Sequence, residues 1–308
     1  MRSGNIAGEP YSTEVVLAPA EKRQGLWSLP ERSLRFARRW PLGAVGALVI
    51  GVMLITALFA DYIAPHDPLE TNFLRQLQGP RPGYWLGTDS FGRDVLSRLI
   101  YGSRTALLIG FSASLIGTTL GLVLGLVSAY FGGLTDLLLQ WLNDVLLAVP
   151  IVVLALVFVA VLGSGTENVI LAIAIPFIPS TARVIRSSAL AIRAMPFVEA
   201  ATALGASDSR IIFRHMLPNV MAPYLVLLTA FQAQAVLLEA SLSFLGLGVA
   251  EPTPAWGLML KGGAIEYAER APWLAIFPGI AISLSVFAFN LFGDSLRDAL
   301  DPRLRTQR

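Results

Sequence analysis

Cysteine is absent from the 308 residues, which excludes disulfides, thiol nucleophiles and Cys-based metal sites. Histidine is nearly absent: His66 and His215 are the only two. They fall far apart, at positions expected on opposite faces of a bilayer, so no two-imidazole metal site is expected. Charged residues make up only 14% of the chain, whereas a soluble domain averages roughly 25%. No Gly-x-x-x-x-Gly-Lys-Ser/Thr loop occurs, so any ATP this protein uses must be bound by another chain. The apolar runs contain no Ser/His/Asp set and no His-Glu-x-x-His pair, which leaves no ground for a membrane hydrolase or metalloprotease. The basic excess is a net charge of +2, scattered rather than interleaved with aromatics, so nucleic acid is not an expected partner.

What the chain does have is apolar length. Hydrophobic residues make up 55% of it, and the mean hydropathy is +0.64. A bilayer core about 30 Å thick needs about 20 apolar residues per helix. Six runs qualify: Leu42–Ile63, Ala106–Tyr130, Leu134–Leu162, Val169–Val184, Ala222–Leu247 and Trp273–Phe292. Backbone polar groups in lipid must be satisfied within the segment, so these runs read as helices and the protein as an all-α membrane protein with six transmembrane helices. The fourth run is short and is read as broken by Pro176 and Pro179. The first is read as a retained anchor, because some forty polar residues precede it and no small-x-small cleavage pattern follows.

Lys and Arg set the orientation. Seven lie before Leu42, five more are Arg183, Arg186, Arg193, Arg210 and Arg214, and the tail adds Arg297, Arg303, Arg305 and Arg308, which places 16 of the 23 on one side. Both termini and the loop after the fourth run are therefore expected in the cytoplasm. The expected divisions are an arm over 1–41, an anchor over 42–63, an external segment over 64–105, a core over 106–300 containing the loop 195–218, and a tail over 301–308.

That loop, Phe197 to Pro218, is a polar interruption between apolar runs. Pro196 suits a first helical turn and Gly205 a left-handed end. A first short helix, Phe197–Leu204, then places Phe197, Ala201 and Leu204 on one side. A second, Ser209–Leu217, is capped by Ser207 or Asp208, and Pro218 is read as restarting the chain into the next apolar run. In the external segment, Thr88 and Asp89 are read as opening an interfacial helix with Arg93, Asp94, Ser97 and Arg98 on its polar face. Gly110, Ser114, Gly117, Gly121 and Gly125 form a small-residue stripe suited to close helix packing.

The loop residues Glu199-Ala200-Ala201, Gly205, Ile211-Ile212 and Leu217-Pro218 resemble the Glu-Ala-Ala loop of membrane subunits of binding-protein-dependent ABC importers. The runs from Trp85 to Gly110, Glu239 to Gly248 and Phe289 to Pro302 resemble the C-type permease of the dipeptide, oligopeptide and nickel group. The chain departs from that pattern at Trp141, where many relatives have Arg, which leaves an ion pair at Asp144 without support. The resemblance implies a type I ABC importer permease fold, with Glu199, Ala200, Ala201, Gly205, Ile211, Leu217 and Pro218 forming the ATPase-coupling loop. It also implies a homologous B-type permease, two cytoplasmic ATPase subunits carrying ATP and Mg²⁺, and an external binding protein. The chain itself is expected to bind no cofactor and to catalyse no reaction. Peptides lead as substrate, with nickel, glutathione or another small solute as the alternative.

Polar residues inside apolar runs must face protein or water. Gln232, Gln234, Glu239 and Asn290 are thus candidates for the path or gate, weighed against plain interhelical hydrogen bonds. An ion-coupled secondary transporter, the remaining class, should carry more intramembrane acids and an inverted repeat. The cysteine-free chain makes the topology directly testable: single cysteines at Ser164 or Thr253 should react with an impermeant thiol reagent added to sealed cells, and one at Ser207 only after permeabilisation. Labelling at Ser207 in sealed cells would refute the orientation.

Overall fold

The computed structural model describes residues 39–300. The tail 301–308 and the arm up to residue 38 lie outside the described residues. Among these there are no strands, only isolated bridges at Arg81 with Tyr84 and Thr88 with Asp94. The principal helices are α1 (Pro41–Leu58), α2 (Val95–Phe131), α3 (Gly133–Leu147), α4 (Ile151–Leu162), α5 (Thr166–Arg193), α6 (Pro196–Ala203), α7 (Asp208–Phe244), α8 (Trp256–Lys261) and α9 (Trp273–Leu300), with a single helical turn, Ala60–Ile63, after α1. Five, α1, α2, α5, α7 and α9, are long and apolar enough to cross a membrane, and α3 with α4 makes a sixth if the bent pair counts as one span.

The 37 residues of α2 extend about 55 Å at 1.5 Å per residue. Its cap is Asp94, whose side chain accepts the Ser97 N–H at 2.9 Å. The interfacial helix expected from Thr88 does not form. Asp89 Oδ1 instead accepts the Phe91 and Arg93 N–H groups, each at 2.9 Å, and this local turn competes with helix initiation until Asp94. From Val95 the helix runs straight into the span.

Prolines act differently in two places. The expected third span, Leu134–Leu162, is broken: α3 and α4 meet at 93°. Pro150 offers no N–H and disfavours helical geometry at Val149, so the helix stops before it. The 12 residues of α4 reach about 18 Å and cannot cross alone. By contrast, the fourth span is not broken. Pro176 and Pro179 are buried within the continuous 28-residue α5, where packed neighbours hold the helix together. Likewise Pro218 does not restart the chain. A π-helical stretch, Ile211–Met216, ends with Leu217 N–H bonded to Ile212 O, and this wider turn admits Pro218, so loop and span form one helix, α7.

The small-residue stripe of α2 is a packing device. A Cβ on Gly117 would lie 2.5 Å from Ala174 O, one on Gly121 2.7 Å from Ile178 O, and one on Gly125 2.7 Å from Ala182 O, all on the α5 backbone. Ser114 turns instead to α7, where its hydroxyl donates to Gln232 Oε1 at 3.1 Å. α3 is bound to α5 through charge. Arg186 pairs with Asp136, and Arg183 pairs with Asp144, so Asp144 has a partner that its own helix does not supply.

Gly121→Val should therefore overpack the α2–α5 contact, an effect of about 1–3 kcal/mol. In detergent this should lower the Tm by about 2–4 °C per kcal/mol. Gly51→Ala, with nothing within 4 Å of the added atom, should leave it unchanged.

Candidate functional site

At one end of the bundle α6 and the start of α7 form a hairpin. Pro196 occupies the first turn of α6, and Gly205 has φ +78°. Gly205 N–H bonds to Thr202 O at 3.0 Å and Ala206 N–H to Ala201 O at 3.1 Å, the paired bonds of a Schellman ending. The chain then turns at Ser207, whose carbonyl accepts the Ile211 N–H at 3.0 Å. The hairpin is therefore a defined unit.

One side of it is buried. Val198, Ile211 and Met216 pack with Leu126, Ile185 and Val220, joining the hairpin to α2, α5 and the span of α7. Polar contacts at its edges add to this. Tyr130 Oη donates to Asp208 Oδ1 at 2.7 Å, and Arg193 donates to Ala129 O at 2.9 Å while lying 5.8 Å from the Tyr130 ring centroid. Tyr130 and Arg193 were not singled out from sequence as anchors.

The other side is open and mixes apolar and charged residues. Leu204 is 88% exposed and Phe213 67%. Glu199, Ala200, Gly205 and Pro218 are exposed, Ala201 and Leu217 half-buried, and Ile211 buried. The loop residues thus divide by role: Ile211 holds the hairpin down, whereas Glu199, Ala200 and Gly205 face outward. Phe197, expected beside Leu204, is half turned toward His215, ring centroids 6.2 Å apart. This surface offers an apolar knob flanked by exposed charge, the Glu199 and Asp208 carboxylates and the Arg210 and Arg214 guanidinium groups.

The polar span residues differ in their surroundings. Glu239 is 1% exposed and accepts the Ser243 hydroxyl at 2.7 Å. Gln232 is buried against Ser114, Gln234 is half-buried, and Asn290 is exposed. No hydrogen bond joins any two of them.

At the opposite end, the residues expected on the polar face of an interfacial helix are buried. Arg93 Nε donates to Asp89 Oδ2 at 2.6 Å and its Nη1 to Glu251 Oε2 at 2.9 Å, while Arg98 Nε lies 3.7 Å from Asp89. Burial works against the Arg93 charge, but Glu251 and Asp89 outweigh it and hold the guanidinium above its usual pKa. The reason for the error is that Glu251 arrives from 158 residues later, and the amphipathic pattern alone cannot distinguish water from a distant carboxylate.

Comparison with known proteins gives the class to which this bundle of apolar helices and its hairpin belong. Residues 117–306 match the family described as binding-protein-dependent transport system inner membrane component, and residues 31–80 match the N-terminal TM domain of oligopeptide transport permease C. The chain is 42% identical over 265 residues to a dipeptide transport system permease protein of Alkalihalophilus pseudofirmus, covering 86% of this chain and 87% of that one. It is 41% identical over 273 residues to a glutathione transport system permease protein of Pectobacterium atrosepticum, covering 88% and 90%. A glutathione permease of Escherichia coli is 43% identical over 269 residues, covering 87% and 88%. The chain belongs to the inner-membrane permease family of binding-protein-dependent ABC importers, and it is a multi-pass membrane protein.

Removing one member of a buried charge pair costs about 3–5 kcal/mol. Asp89→Ala, which leaves Arg98 without a carboxylate and Arg93 with Glu251 alone, should therefore sharply lower the yield and Tm of the folded protein in detergent. Glu251→Gln, at a half-exposed site, should have a far smaller effect. Equal effects would contradict the assigned network.

Proposed function

We propose that this chain forms half of the translocation pore of an ATP-driven peptide importer in the cell inner membrane. In this reading it pairs with a homologous B-type permease and receives peptide from an external binding protein. Two cytoplasmic ATPase subunits, which carry ATP and Mg²⁺, engage the α6 hairpin, and both termini lie on that side. The chain performs no catalysis itself. Peptide is the substrate class shared by the dipeptide and glutathione relatives, glutathione being a tripeptide.

One observation carries the reading: the hairpin presents exposed Leu204, Phe213 and Glu199 on a base packed against α2, α5 and α7. A surface that is open outside and rigidly seated inside suits a part that is gripped and moved. Closure of the ATPases displaces α6, and through α7 the displacement reaches the spans. The nucleotide thereby biases an equilibrium between two bundle arrangements. Glu239, buried on its Ser243 bond, is the path candidate that a moving α7 would carry with it.

The test uses the assembled transporter in proteoliposomes. Gly205→Val strains a positive-φ position by about 1–3 kcal/mol in open space, and Glu199→Lys reverses the charge offered. Both should insert and assemble normally, yet lose most uptake and most of the ATP hydrolysis stimulated by loaded binding protein. Wild-type uptake by the double variant would refute coupling through this loop.

A further inference from the structure

The four helices α1, α2, α7 and α9 leave a groove of about 570 Å³ at the level of the spans, within the ~300–1,000 Å³ usual for small-molecule sites. Leu54 and Leu58 of α1, Leu108 and Phe111 of α2, and Phe292 of α9 line it, and the first four are half-exposed or more at its rim. The polar groups of α7 that reach it are engaged by protein: Thr229 Oγ1 donates to Val226 O at 2.9 Å, and Gln232 Oε1 accepts from Ser114. Along α2 the lining runs from Arg104 to Ser112, about 12 Å of helix. That is most of one leaflet, half of the roughly 30 Å core.

Charge closes one end of this groove and not the other. Arg104 Nε donates to Ala57 O at 2.9 Å, in the last turn of α1, so the guanidinium sits where that span ends. Its Nη2 lies 3.3 Å from Asp61 Oδ2, and Asp61 also accepts the Tyr101 hydroxyl at 2.6 Å. Both charged side chains are open, Arg104 at 43% and Asp61 at 60% exposure. An apolar slot one leaflet deep thus ends in a cation beside an anion. A lipid carrying only a phosphate charge would meet repulsion from Asp61. A choline head has no N–H to donate to that carboxylate. A primary ammonium next to a phosphate complements both groups.

We infer that this groove is a binding site for one phosphatidylethanolamine of the leaflet at the end opposite α6. One acyl chain fills the slot, the phosphate lies against Arg104, and the ammonium donates to Asp61.

The test takes the assembled transporter, delipidated in detergent and then offered equimolar phosphatidylethanolamine, phosphatidylcholine and phosphatidylglycerol, with retained lipid read by native mass spectrometry. Wild type should retain phosphatidylethanolamine about tenfold over the other two. Asp61→Asn, a change at an exposed position, should abolish the preference over phosphatidylcholine, and Leu108→Trp, which fills the slot, should reduce retention of all three. Equal retention of the three lipids by wild type would overturn the inference, as would undiminished phosphatidylethanolamine retention by both variants. So would high-yield crosslinking of a cysteine at Leu54 to another subunit, which would mean that a protein helix occupies the groove.

Discussion

Helices α2 and α5 approach so closely that no side chain fits between their backbones at Gly117, Gly121 and Gly125, and the remainder of the bundle is arranged around that contact. In lipid, apolar side chains gain little by leaving the solvent for each other, so close approach and dispersion must hold helices together. With α5 fixed against α2, the ion pairs from Arg183 and Arg186 secure α3. The far face of α2 is left to α7 through Ser114 and Gln232. The α6 hairpin rests on the same pair, because Leu126 of α2 and Ile185 of α5 form its floor.

The membrane spans were legible because hydropathy and length are properties of a segment by itself. The hairpin was legible for a similar reason: Pro196 and Gly205 act on their own backbone, and no distant residue is needed to explain the turn. Proline was misread where its effect depends on surroundings. Pro150 breaks a helix with only Asn143 of α3 buried, whereas Pro176 and Pro179 are buried in a helix wrapped by neighbours. The sequence shows five prolines in the apolar runs, Pro150, Pro176, Pro179, Pro223 and Pro278, and cannot rank them.

Electrostatic pairs were the least legible feature. Asp144 looked unsupported because the expected partner position holds Trp141, but the actual partner, Arg183, belongs to another helix. Arg93 and Arg98 read as a wetted face because their carboxylates come from a preceding turn and from a loop far along the chain. Charge pairing between elements is a tertiary property, and local patterning carries no trace of it. The same holds for Tyr130 and Asp208, 78 residues apart.

The absence of a joint at Pro218 has a mechanical consequence. Because α7 is one helix from Asp208 to Phe244, the second arm of the hairpin and the buried Glu239 belong to a single rod about 55 Å long. Pivoting such a rod by about 5° sweeps its far end through about 5 Å, roughly one helical turn. The π-helical stretch Ile211–Met216 lies at the hairpin end of this rod, where a wider turn can absorb twist without shortening it.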